Sequence, residues 1–150
     1  MAELYLEDLE PGRRFESGRH ALTAEEIKAF GRQFDPQPFH LDEPAAEASF
    51  FGGLAASGWH TAALSMRLLT EAVPIAGGLI GAGGEIAWPR PTRPGDELRL
   101  VATVVSVAPS RSSPDRGWVV LRSETLNQKD EPVQVLTARM TVPRRPQDLR

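Results

Sequence analysis

Cysteine is absent from this chain of 150 residues. Its absence excludes disulfides, thiolate nucleophiles and Cys-ligated zinc or iron–sulfur centres. Lysine is scarce, with only Lys28 and Lys129, so the positive charge is almost all arginine. Long apolar runs are missing as well, and nothing approaches the roughly 18 residues that a membrane span needs. The start "MAELYLEDLEPG" has no basic segment leading into an apolar one, so no secretory signal is expected. A cytoplasmic protein is the default. A net charge of −3 offers no general attraction to nucleic acid or anionic membrane. What remains is ordinary: 41% hydrophobic and 25% charged residues, enough to build the core of one soluble domain.

The first half reads as helical. "TAEE" is a capping box, with Thr23 placed to accept from a free helix-end amide and Glu26 placed to reach back. Ile27, Phe30 and Phe34 follow at spacings of three and four, an apolar helix face. Pro36 disfavours helical geometry at Asp35 and stops the helix there. Asp42 with Pro44 opens a second, short helix over about 43–48. Ser57 caps a third, running to about Val73, whose Ala62, Ala63, Leu64, Met66, Leu68 and Leu69 cover most of its circumference. Such a helix is expected to be buried. Pro74 and the Gly77-Gly78 pair end it.

The second half reads as β. "ELRLVATVVSVAP" places Leu98, Leu100, Ala102 and Val104 on one face. "GWVVLRSETLNQ" and "PVQVLTARMTV" are further long runs, joined by the polar turn "NQKDEP", which predicts an antiparallel meander. "LIGAGGEIAW" is another strand, with "RPTRPGDE" as the connector to the meander. One buried helix ahead of several antiparallel strands predicts a single α+β domain over residues 1–150, its sheet curled around that helix. Residues 143–150 are expected to fray. A sheet that wraps its helix on one face leaves other surfaces needing cover, so a dimer is expected.

Four features bear on chemistry. "GGLIGAGG" resembles a phosphate loop only at a glance, since neither the G-x-G-x-x-G spacing nor a following Lys-Ser/Thr is present. Its glycines are read as easing a turn. His20, His40 and His60 form no close-spaced metal motif, and no metal ligands are expected. His20 is read as a surface or strand-end residue, and His60, on an apolar helix, as a packing residue or pocket liner. The pair Asp35 and His40 in "FDPQPFHLDE" is a stronger signal. Pro36 and Pro38 stiffen the turn between a carboxylate and an imidazole, two groups able to share one water. On the residues alone, a capping Asp and a packed His explain the same turn. "ASGWHTA" then puts Gly58 at a helix start, where unpaired N–H groups can face a developing oxyanion or simply pack.

Taken together, "FGRQFDPQPFHLDEPAAEASFFGGLAASGWHTAAL" resembles the signature region of the MaoC-like dehydratases, the (R)-specific enoyl-CoA hydratase group. That pattern runs Asp-x-Asn-Pro-hydrophobic-His, a helical stretch, Phe-Gly, then small residues ending in His-Gly. Asp35, Pro38, Phe39, His40, Phe51-Gly52 and Ser57-Gly58 fit it, and "RPGDELRLVATV" resembles the family's Pro-Gly-Asp turn. The likeness spans about residues 5–142. Gln37 stands where Asn is usual, Ser57 where His is common, and Trp59-His60 where aliphatic residues often sit. These departures bear on substrate rather than fold.

The resemblance implies the hot-dog fold and a hydro-lyase acting on a 2-enoyl/3-hydroxyacyl thioester of CoA or acyl carrier protein. Asp35 and His40 would activate water, and Ser57 and Gly58 would bind the substrate, with the Gly58 N–H on the thioester oxygen. Gln37, Phe50, Phe51, Trp59 and His60 are the expected pocket liners, and Arg90 or Arg93 are candidates for CoA phosphates. No cofactor is expected beyond CoA as part of the substrate. A homodimer or higher homo-oligomer is implied, with no nucleic acid or membrane partner. An acyl-thioester binder without turnover, and a thioesterase, are the competing readings.

Overall fold

The computed structural model of the chain describes residues 2–146. Five strands form one antiparallel sheet: β1 (Arg14–Ala21), β2 (Ile80–Ala87), β3 (Glu97–Pro109), β4 (Arg116–Leu126) and β5 (Pro132–Pro143). Their spatial order is β1-β3-β4-β5-β2. The alternation expected in β3 is present, with Leu98, Leu100, Ala102 and Val104 all buried. Val119, Leu121, Ser123 and Thr125 of β4 take the same inner face. Each such Leu or Val contributes about 1.5–3 kcal/mol by leaving water. The turn 127–131 joins β4 to β5 as expected. Asn127 Oδ1 accepts from the amides of Lys129 and Glu131, and Asp130 adopts a φ of 60°.

Among the described residues three α-helices accompany the sheet: α1 (Ala24–Phe34), α2 (Glu43–Glu47) and α3 (Gly58–Ala72). α3 lies on the concave face of the sheet, burying Leu64, Leu68, Leu69 and Ala72. Ser65 Oγ and Thr125 Oγ1 meet at 2.6 Å beneath it, so the buried hydroxyls satisfy each other. A five-stranded antiparallel sheet curled about one long helix is the hot-dog fold.

Several expectations need correction. α3 is not buried all round: Ala63, Met66, Arg67, Thr70 and Glu71 are exposed, because the sheet covers only one side of it. Phe34 is 64% exposed rather than part of the inner face of α1. Gly31, one turn earlier, is buried instead. Strand β1 was not legible, for its "RFESGRHA" is polar and lacks alternation; it pairs with β3 through a bulge between Glu16 and Arg19. Thr23 does cap α1, but Glu26 spends one carboxylate oxygen on the Thr23 hydroxyl and the other on His20 (2.9 Å). The tail does not fray where it is described. Arg144 pairs with Glu7 (3.2 Å) and Arg145 with Asp8 (2.6 Å), while 147–150 lie outside the described residues. Among the described residues no helix is long and apolar enough to cross a membrane.

Candidate active site

Pro36 ends α1 as expected, and Asp35 leaves the helix with φ −150° and ψ 69°. The chain then tightens into a single 3₁₀ turn, Pro38–His40. This short path returns His40 to the end of α1, and Gly31 makes the return possible. A Cβ on Gly31 would lie 3.1 Å from His40 Cβ, His40 O and a Leu41 methyl. Lys28 and Glu43 (2.6 Å) tie α1 to α2 on either side of the turn.

His40 is 4% exposed, and both ring nitrogens are committed. Nδ1 lies 2.6 Å from the carbonyl oxygen of Ala55. A carbonyl only accepts, so Nδ1 carries a hydrogen and donates. Nε2 then points to Asp35 Oδ2 at 3.2 Å. The ring is further held edge-on by Phe39, 4.6 Å between centroids. Ala55 serves the turn twice, since its own N–H donates to Phe39 O (3.1 Å). The segment bearing Ala55 is itself fixed by Arg93, which donates to the carbonyls of Phe51, Gly53 and Leu54.

Asp35 is partly sheltered, its side chain 18% exposed. Desolvation acts to raise its pKa, but hydrogen bonds from Ser57 and Gln37, with the charge and N–H of His40, outweigh it. The net direction is down, so Asp35 remains a carboxylate below the usual aspartate range. Gln37 Nε2 donates to Oδ1 at 2.5 Å, leaving Oδ2 to face His40.

Opposite this pair stands the start of α3. Ser57 Oγ accepts from the Trp59 amide (3.2 Å) and also reaches Asp35, linking the helix start to the carboxylate. The Gly58 N–H, in the first helical position, has no protein acceptor among the described residues. It is one of the orphan donors every helix start exposes, at the positive end of the helix dipole. A Cβ on Gly58 would fall 2.8–2.9 Å from three ring atoms of Trp88, so only glycine fits beneath that indole.

These groups open on one cleft of about 740 Å³. Asp35, Gln37, His40, Phe50, Phe51, Gly58 and Trp59 all line it. Phe50 and Trp59 stand at its rim, 98% and 61% exposed. Ser57, expected to bind substrate, is not brought to the cleft: it is buried behind the wall, where its hydroxyl meets the Trp59 amide and Asp35. His60 is not brought to the cleft. Its ring stacks on Phe30 of α1 (4.7 Å, 5° between planes), because two residues of helix, about 200° of rotation, turn it away from the face that carries Gly58. Arg90 and Arg93 both line the cleft; Arg93 donates to backbone carbonyls, and the half-exposed Arg90 pairs with Glu131 (3.4 Å). The three histidines do not converge: His20 meets Glu26, His40 meets Asp35, His60 meets Phe30.

Trp88, Gln134, Gly31 and Ala55 went unmarked in the sequence reading. Trp88 opens the proline-rich "WPRPTRP" segment, and an aromatic ahead of a stiff connector was the available signal. Ala55 acts only through its backbone, which no side-chain pattern reveals.

The description "MaoC like domain" matches residues 8–120. Among relatives, the YdeM protein of Bacillus subtilis (strain 168) is 31% identical over 140 residues, 91% of this chain and 96% of its own. A MaoC-like dehydratase from Rhodospirillum rubrum, solved by crystallography, superposes with a TM-score of 0.93 at 61% identity. That match covers 95% of this chain and 99% of the other. An (R)-hydratase from Pseudomonas aeruginosa shares the fold, with a TM-score of 0.76 and 24% identity over 95% of this chain and 88% of its own.

Proposed function

This chain belongs to the MaoC-like domain family, and from that premise we propose that it adds water to a 2-enoyl thioester, or removes it from the 3-hydroxyacyl product. The observation that carries the reading is convergence. A carboxylate–imidazole pair and an unpartnered helix-start N–H face the same cleft. Conjugation with a thioester makes the β-carbon electrophilic, so the reaction calls for a base, an acid and an oxyanion donor rather than a resident cofactor or metal. The R. rubrum protein's description as a MaoC-like dehydratase supports the same reaction class.

In this reading each group has one task. Asp35, held as a carboxylate, takes a proton from water as its oxygen bonds to the β-carbon. The electron pair of the double bond moves toward the carbonyl, and the Gly58 N–H stabilises the enolate oxygen. His40, doubly protonated beside the Asp35 carboxylate, delivers its Nε2 proton to the α-carbon, and the proton on Asp35 returns to Nε2 across the 3.2 Å separation. Water has then been added with no net change at the enzyme. His40 Nδ1–H stays on Ala55 throughout, which keeps Nε2 as the working nitrogen.

Hydration of a short 2-enoyl-CoA, followed by loss of its conjugated absorbance, tests the reading. Asp35→Asn and His40→Ala should each lower kcat by about 10²–10⁴-fold with the fold intact by circular dichroism. Unchanged hydration in either variant, or tight acyl-CoA binding with no water added to any chain length, would sink it. Release of free CoA thiol would point to hydrolysis of the thioester instead.

The substrate class we propose is an acyl-CoA or an acyl carrier protein thioester, and the working form a homo-oligomer. Strand β2 supports the latter: among the described residues it pairs only with β5, and seven of its eight residues are exposed. An open glycine-rich edge beside the exposed Met66 of α3 is a surface that a second copy would cover. Sedimentation equilibrium giving a monomer at micromolar concentration would refute it.

A further inference from the structure

The cleft ends abruptly along α3. Gly58, Trp59 and Thr61 line it, yet the next inward positions, Ala62, Ser65, Met66 and Leu69, border a separate hollow of about 90 Å³ beneath the helix. A second hollow, about 60 Å³, shares Met66, Leu69, Ser123 and Leu136 with the first. At about 1.5 Å of rise per residue, Ala62 lies roughly 6 Å and Met66 roughly 12 Å beyond Gly58. The cleft and the hollows therefore follow one line along the helix, interrupted in the middle.

The interruption is Trp88. Its indole lines the cleft, and its Nε1–H donates to Gln134 Oε1 at 3.0 Å. Gln134 is 2% exposed and lines the hollow on the far side. The ring is fixed from two further directions, by close contact over Gly58 and by Trp59 edge-to-face at 5.2 Å. A buried amide whose carbonyl takes the indole hydrogen holds the ring across the passage, since breaking the bond would leave a buried acceptor unpaired. Beyond this partition the linings are mainly Leu, Met and Ala, surfaces that suit hydrocarbon.

Resting on the hydratase reading above, we propose that Trp88, pinned by Gln134, closes the acyl end of the cleft and confines the site to short acyl chains. The hollows are the remainder of a longer acyl path that the indole shuts off. Trp88 is a specificity-determining residue in this scheme and takes no part in proton transfer. Gln134 positions it.

The test compares four-carbon and eight-carbon 2-enoyl-CoA as substrates, and butyryl- and octanoyl-CoA as ligands by calorimetry, on the full chain. Each wild-type preference, in kcat/KM and in affinity, should favour the four-carbon chain by at least about tenfold, the range one or two misplaced methylenes command. Trp88→Ala should raise the eight-to-four ratio in both readouts by about tenfold or more. Trp88→Leu, a milder cut, should move it in the same direction, and it serves if the alanine variant does not fold. A wild type indifferent to chain length, or variants that scale both chains alike, would overturn the proposal. If nothing is hydrated but the binding ratios shift as stated, the partition stands and the hydratase reading falls. If hydration proceeds and the ratios stay fixed, the partition falls and the hydratase reading stands.

Discussion

His40 and His60 both pack against α1, the first at Gly31 and the second at Phe30, each beside an aromatic ring, and their surroundings differ in kind. His40 ends a proline-stiffened turn, and the fold brings a partner to each of its nitrogens, Ala55 O on one side and Asp35 on the other. His60 sits in the first turn of α3, flat against Phe30, with a buried Nδ1 that has no hydrogen-bond partner among the described residues. Both side chains have the same intrinsic chemistry, with a free imidazole titrating near neutrality. The difference lies in what the backbone supplies. Around His40, Gly31 lets the turn close back on α1 and Gly58 lets Trp88 sit on the start of α3, so that a carboxylate, an imidazole and an orphan N–H face one cleft. Around His60, packing against α1 brings only a ring face.

That contrast can be broken most sharply at Gly58. Any Cβ there meets the Trp88 ring at 2.8–2.9 Å, so either the indole or the first turn of α3 must shift. Gly58→Ala is expected to lower kcat for hydration by about 10²–10³-fold, the usual loss when an oxyanion donor is displaced. A crystal structure of the variant would show Trp88 rotated off the helix start. Activity within a few-fold of wild type would mean that the Gly58 N–H is not the donor. Gly31→Ala is the next step down. Its Cβ would press at 3.1 Å on His40 and Leu41, where the turn can yield by a few tenths of an ångström. Overpacking there should cost about 1–3 kcal/mol in chemical denaturation. A displaced His40 should lower kcat by about tenfold with KM nearly unchanged, since misplaced groups cost rate before binding. A matching substitution at Gly53, whose nearest neighbour is the end of the Arg93 side chain at 3.4 Å, should do neither.

The two histidines also explain how much of the molecule was legible in its sequence. The Asp35/His40 turn could be read because prolines and polar residues leave a local mark, and the helix start at Ser57-Gly58 because capping chemistry does the same. The alternation of Leu98, Leu100, Ala102 and Val104 announced β3 in the same local way. Strand β1 could not be read, because its residues owe their conformation to pairing with β3 rather than to their own pattern. Trp88 and Gln134 are 46 residues apart and meet only across the sheet connection, so neither marks the other. The exposed half of α3 was misread for a related reason. Apolar side chains all round a helix report that it is to be covered, not whether the cover comes from its own sheet. His60 was hardest of all: a histidine beside a tryptophan on an apolar helix fits a pocket or a core equally well until the rotation from Gly58 is known.

The smallest expected effect belongs to His60, and it is a matter of stability rather than turnover. Desolvation is the main influence on its pKa and lowers it; His20 and His40 push the same way, and Glu26 opposes them. The folded protein therefore holds His60 neutral at pH values where the unfolded chain has already protonated it. Where the unfolded state binds more protons, stability rises with pH. Stability tied to His60 is thus complete above the ordinary imidazole value of about 6.5 and is lost as pH falls from there toward the lowered folded value. His60→Phe keeps a flat ring against Phe30 and removes both the titration and the unpaired Nδ1. At pH 8 the variant should be about 1 kcal/mol more stable, from relief of the buried unsatisfied nitrogen. Between pH 7 and 5 its advantage in urea denaturation should widen steadily, while kcat for hydration stays within about threefold of wild type. A stability difference that is flat across that range would mean that His60 is solvated in the folded protein, and the contrast with His40 would then be one of position alone.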